Sequence, residues 1–191
     1  MKYIIGLLIT TGLIILLIVL LVSGGGSKQK VPNTSKSLDS YANSQAIARL
    51  TVDGPINAPG NHRSSRISVG RDSTTYEQFK GYDGEIIASQ TFPNTQNSYE
   101  SFLRAIKIAG FTSGDTSDAL KNDRGYCALG TRYIFEFEDG SGKRLERFWS
   151  STCGSPKSFK GNTSLNVILF QKQVPDYSRL TNNVDINFNN Q

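Results

Sequence analysis

The 191-residue sequence is poor in histidine and cysteine, with one His62 and the pair Cys127 and Cys153. A lone imidazole excludes, within one chain, a metal site or a mechanism that needs two. Two thiols are too few for a disulfide-dense scaffold or a four-thiolate zinc site. Six prolines and 18 glycines are ordinary, which removes collagen-like and low-complexity classes. No phosphate-cradling glycine loop occurs; Gly140-Ser141-Gly142 has neither its lysine nor its spacing. We therefore expect no cofactor, no metal and no catalytic residue set. No acidic residue precedes Asp39, and the net charge is +5.

What is present begins with an uncharged run. Residues 3–22 are apolar except for Gly6, Thr10, Thr11 and Gly12. As a helix this run is about 30 Å long, the thickness of a bilayer core, so residues 1–22 read as a transmembrane anchor with the lipid bilayer as partner. A buried core helix of this length would carry a polar stripe. A cleaved signal peptide would have a shorter apolar region, although Ser23-Gly24 offers a small-residue site. Lys2 lies on one side, and Lys28, Lys30 and Lys36 on the other. That count does not favour a translocated C-terminus, but long domains translocate largely regardless of charge.

Residues 23–44 are rich in Gly, Ser, Lys and Asn and cannot bury enough apolar surface to offset chain entropy, so they read as a flexible linker. Residues 45–178 form the expected folded domain, and 179–191 a polar tail in which Ile186 and Phe188 leave an edge strand open. The domain is expected to be α+β, with antiparallel hairpins and two helices in the order ββββαββα. Strands are predicted at 47–52, 66–69, 75–80 and 85–92, the last two joined by the turn cluster Gly81-Tyr82-Asp83-Gly84. A helix is predicted over 97–110. Asn97 and Glu100 have capping-box spacing, Tyr99, Phe102, Leu103 and Ile106 make one stripe, and Gly110 suits a left-handed cap. Residues 111–124 read as loop. A second helix over 162–174, apolar nearly all round, is expected to be well buried.

Tyr133, Phe135 and Phe137 alternate with Arg132, Glu136 and Glu138, which marks a half-buried strand. Centring its hairpin on Gly140 pairs Phe135 with Leu145 and Glu136 with Arg144, and sets Cys127 opposite Cys153. We therefore expect a disulfide, with two buried thiols as the alternative. A disulfide implies an oxidising compartment, so the domain is expected to face outward from the cytoplasmic membrane. The triplets beginning at Asn33 and Asn162 are glycosylation sequons, which matter only in a pathway that glycosylates.

The densest basic cluster is His62, Arg63, Arg66 and Arg71, a candidate binding patch. It lacks interleaved aromatics, which disfavours nucleic acid; a solvated face is the favoured reading, with an acidic envelope polymer or a surface protein as the binding alternative. Thr152-Cys153 with His62 resembles the set of a sortase-type cysteine transpeptidase, but no arginine lies between Arg147 and Arg179, where that family's downstream arginine would fall. Pilins are similar in size and apolar N-terminus, yet here Gly24-Gly25-Gly26 interrupts the helix. The strings ARLTVDGPINAPGNHRSSRISV (48–69), WSSTCG (149–154) and QVPDY (173–177) resemble single-span, membrane-anchored proteins of Saccharibacteria-type bacteria. That resemblance implies bacterial origin and an anchored form, with no activity to carry over. The strand-rich order is also similar, by topology alone, to small bacterial protease inhibitors. The expected function is a non-enzymatic, membrane-tethered binding or adhesion module outside the cytoplasm. The alternatives are a structural subunit of an envelope complex, an inhibitor-like domain and a transpeptidase.

Overall fold

Period-two alternation builds the centre of the domain, a six-stranded antiparallel sheet in the order β4-β3-β2-β1-β5-β6. The strands are β1 Ile47–Asp53, β2 Arg63–Val69, β3 Ser73–Lys80, β4 Glu85–Pro93, β5 Arg132–Glu138 and β6 Arg144–Ser151. The helices are α1 Gln96–Ile108, α2 Thr163–Gln171 and α3 Tyr177–Asn182. The computed structural model describes residues 37–182. The expected membrane anchor, most of the linker and residues 183–191 lie outside the described residues. Among the described residues no helix is long and apolar enough to cross a membrane. The domain is α+β, as expected, with one more helix than the pattern suggested.

One face of the sheet carries the core. Ala48, Leu50 and Val52 of β1 lie beside Ile67 and Val69 of β2 and beside Phe135 and Phe137 of β5. All are buried, and Tyr99, Phe102, Leu103 and Ile106 of α1 close over them. Strand β2 begins three residues earlier than the apolar pattern marked, because Ser64 and Ser65 still find ladder partners on both sides and Arg63 pairs with Lys80 of β3.

Helix α1 keeps its predicted stripe and changes its cap. Thr95, not Asn97, is the N-cap, its hydroxyl accepting from the Ser98 amide at 3.2 Å, while Glu100 pairs with Arg104. At the other end Gly110 has φ +78°. The Phe111 amide donates to the Ile106 carbonyl at 2.9 Å and the Gly110 amide to Lys107 at 3.0 Å. This paired pattern closes the helix and turns Phe111 into the core.

Helix α2 corrects the expectation of all-round burial. Only Asn166 and Phe170 are buried, and Leu165 and Ile168 face solvent. The Asn162 side chain of the second sequon is engaged as its cap, accepting from the Leu165 amide at 2.9 Å. The packed region extends beyond 45–178 at both ends. Leu38 and Ala42 are buried, Tyr41 packs edge-on against Phe137, and the Leu180 carbonyl accepts from Gln78 at 3.2 Å.

The β5–β6 register also differs from the expected one. Phe135 lies opposite Phe148, and Glu136 opposite Arg147. The turn is centred beyond Gly140, because the Asp139 carboxylate accepts from the Ser141 amide at 2.9 Å and the Lys143 amide at 3.1 Å. A bulge at Phe137/Glu138 adds to the offset. The odd shift moves Phe148 into the core and turns Trp149 onto the opposite face. Glu136 and Arg144 still meet, diagonally, at 3.1 Å.

Candidate functional site

The opposite face of the sheet is polar, and its end row builds a recess. Register places Ile86, Phe79, Ser64, Asp53 and Arg132 side by side across β4, β3, β2, β1 and β5. One row further in, Arg66 lies opposite Thr51, with its Nε 3.3 Å from the Thr51 hydroxyl and its guanidinium 5.1 Å from the centre of the Phe79 ring. Two connections wall this end. The β1–β2 loop supplies Ile56 and His62, and the β3–β4 turn supplies Tyr82. The recess, open to solvent on one side, holds about 450 Å³.

Asp53 organises the floor. One carboxylate oxygen meets His62 Nε2 at 2.9 Å and the other meets the Arg132 guanidinium. His62 Nδ1 lies 3.1 Å from the Pro55 carbonyl. Both partners of the ring are acceptors, and the tautomer decides which nitrogen donates. The His62 ring stacks on Tyr82 with centroids 4.1 Å apart. The Tyr82 hydroxyl is held in turn by the Asn57 carbonyl at 2.8 Å and the Asn57 amide at 3.0 Å. Tyr82 is thus locked in place while 47% exposed.

The third wall comes from the segment after α1. Residues 115–126 cross to the polar face, where Tyr126 stacks on Trp149 and the Trp149 indole donates to the Leu120 carbonyl at 2.7 Å. Asp123 meets Arg147, and this delivers Arg124 to the mouth of the recess. Beyond it, the sulfurs of Cys127 and Cys153 are 2.05 Å apart, a disulfide. The bond forms outside the strand ladder. Cys127 sits in a left-handed turn at φ 53°, and the Gly130 amide returns to its carbonyl at 3.1 Å. The expected pairing of the two cysteines therefore holds, although the register from which it was argued does not. With its sulfur bonded to Cys127, Cys153 offers no thiol.

The cationic charge of the recess is only partly neutralised, by Asp53 on Arg132. Elsewhere Arg49, Arg71, Arg104, Arg144, Arg147 and Arg179 each meet a carboxylate. Arg63 donates to the Gly60 and His62 carbonyls. Arg66 and Arg124 have no carboxylate partner among the described residues, and both line the recess with Arg132. Arg132 is 3% exposed, and its Nε is buried without a hydrogen-bond partner. Among the lining residues three guanidinium groups stand against one carboxylate, with Glu77 opposite Arg66 on β3 just outside the lining, and the balance favours an anion. Among the described residues no group of acids, histidines and cysteines could hold a metal ion.

Of the predicted basic patch, the structure brings together His62 and Arg66. Arg63 points to the other face of β2, and Arg71 sits at the far end of that strand, paired with Asp72. The sequence reading missed Arg132 and Arg124. Arg132 was visible only as the wet partner of an alternating strand, and Arg124 as part of a polar loop. No protein-family model matches the chain, and no curated protein matches it.

Proposed function

We propose that this chain is a membrane-tethered binding module. Residues 3–22 anchor it in a bacterial cytoplasmic membrane, the α+β domain faces outward, and the arginine-lined recess takes an anionic ligand without catalytic chemistry. The observation that carries this reading is the fate of the arginines: the two without acid or carbonyl partners among the described residues, Arg66 and Arg124, converge on one recess beside the half-satisfied Arg132. The disulfide supports the outward orientation, since such bonds persist in oxidising compartments.

The test is retention of the full chain, in detergent micelles, on a polyanion-coated surface. We expect retention at low salt, release as ionic strength rises, and loss of retention in an R66A/R124A double variant. The same change at Arg104, on α1, should leave retention intact. Equal retention of wild type and double variant would overturn the reading. Deletion of residues 3–22 should move the protein from the membrane fraction to the soluble one.

A further inference from the structure

The geometry points to a carboxylated sugar, a pyranose ring bearing one carboxylate and several hydroxyls, as the ligand of this recess. This inference rests on the anion-binding reading above and names its ligand class. Three features of the recess select it. The cations are all arginines, and planar guanidinium forks match a planar carboxylate with two parallel hydrogen bonds. No helix N-terminus, the usual seat of a phosphate, contributes to the lining.

The second feature is Asp53. Its carboxylate stays on the floor, 19% exposed, between His62 and Arg132. A compact multivalent anion such as phosphate would be pressed against this negative charge. A ligand with one anionic group and neighbouring hydroxyls puts its charge on Arg66 and Arg124 and its O–H donors on Asp53 and Ser64.

The third feature is the Tyr82 ring. It is fixed by the His62 stack and by both hydrogen bonds to Asn57, and it stands half-exposed beside Ile56, itself 43% exposed. A flat, immobile ring next to a cationic cleft suits the C–H face of a pyranose, at little cost in side-chain entropy. The recess, about 450 Å³, has room for a short oligosaccharide end.

The experiment is calorimetric titration of the full 191-residue chain in detergent micelles with trigalacturonate. Neutral galactotriose, a triglutamate peptide and inorganic phosphate serve as comparison probes. We expect trigalacturonate to bind most tightly and galactotriose not to bind. R66A and R124A should each weaken trigalacturonate by about tenfold or more, the loss of one charge-assisted contact. Y82A should weaken trigalacturonate while leaving triglutamate unchanged, and R104A should change nothing. Arg124 is exposed, so its variant keeps the fold and the test stands even if R66A does not fold. Phosphate or triglutamate binding as tightly as trigalacturonate would overturn the sugar inference and leave the anion site standing. Binding of none of the three anions would overturn both. Unchanged trigalacturonate affinity in R124A and Y82A would overturn the placement of the sugar in this recess.

Discussion

Replacing Asp53 with alanine isolates the charge at the floor of the recess. Asp53 is the acidic partner of Arg132, whose side chain is 4% exposed, and it also holds His62, whose side chain is 3% exposed. Removing one member of a buried ion pair strands the other, at a cost of about 3–5 kcal/mol. For a domain of this size each kcal/mol lowers the melting temperature by about 2–4 °C, so D53A should melt roughly 6–20 °C below wild type. A second change, Arg132→Met, removes the stranded charge and replaces it with an adaptable apolar chain. The double variant D53A/R132M should recover most of the loss, retaining about 1 kcal/mol for the unmade His62 contact. The assay is urea unfolding of the full chain followed by the fluorescence of Trp149, its only tryptophan. The expected coupling between the two positions is at least about 2 kcal/mol. Additive effects, equal within about 0.5 kcal/mol, would refute the account of Asp53 as the charge balance of Arg132.

Further outcomes follow from other parts of the domain. Breaking the Cys127–Cys153 bond, which spans a sequence separation of 26, should cost about 3.5 kcal/mol in the chain-entropy treatment, read as a lowered urea midpoint for C127A/C153A. Gly130→Ala should prevent that bond from forming, because an added Cβ would overlap the Cys127 sulfur and would sit 2.5 Å from the Thr152 hydroxyl; free-thiol titration of the purified variant reads this directly. Burial pushes the Glu146 carboxyl up from its ordinary value of 4.5. The folded state therefore holds that proton to higher pH than the unfolded chain does. The contribution favours the fold below the ordinary value and is lost as pH rises through the folded one. Unfolding midpoints from pH 4 to 7 should fall for wild type relative to E146Q, and parallel curves would refute this.

Much of the core was legible because its signal is local. The stripe from Tyr99 to Ile106 is written at helical spacing, and Phe135 and Phe137 alternate as a half-buried strand must. Long-range partners were not legible. Nothing local states that β5 inserts beside β1, yet that neighbour relation sets Arg132 against Asp53. The β5–β6 register was misjudged because the Asp139 carboxylate organises a longer turn than the glycines suggest. Helix α2 looked buried because its residues are apolar, but a nine-residue helix touching the sheet along one side leaves Leu165 and Ile168 outside. Half of the predicted basic patch dispersed for a simple reason. Neighbours along a strand alternate faces, so Arg63 and Arg66 part company, while Arg71 sits at the opposite strand end.

The disulfide also ties the walls of the recess together. Arg124 hangs on a segment fastened upstream by Asp123 on Arg147 and downstream by the Cys127–Cys153 bond. Just past the bond's first half-cystine, the Ala128 carbonyl accepts from the Ile56 amide at 2.7 Å, so the loop that carries Ile56 is fastened to the same clasp. Two walls of the recess therefore share one covalent fastening. The placement of Arg124 and of Ile56 relative to one another thus depends on the oxidised state of a single bond.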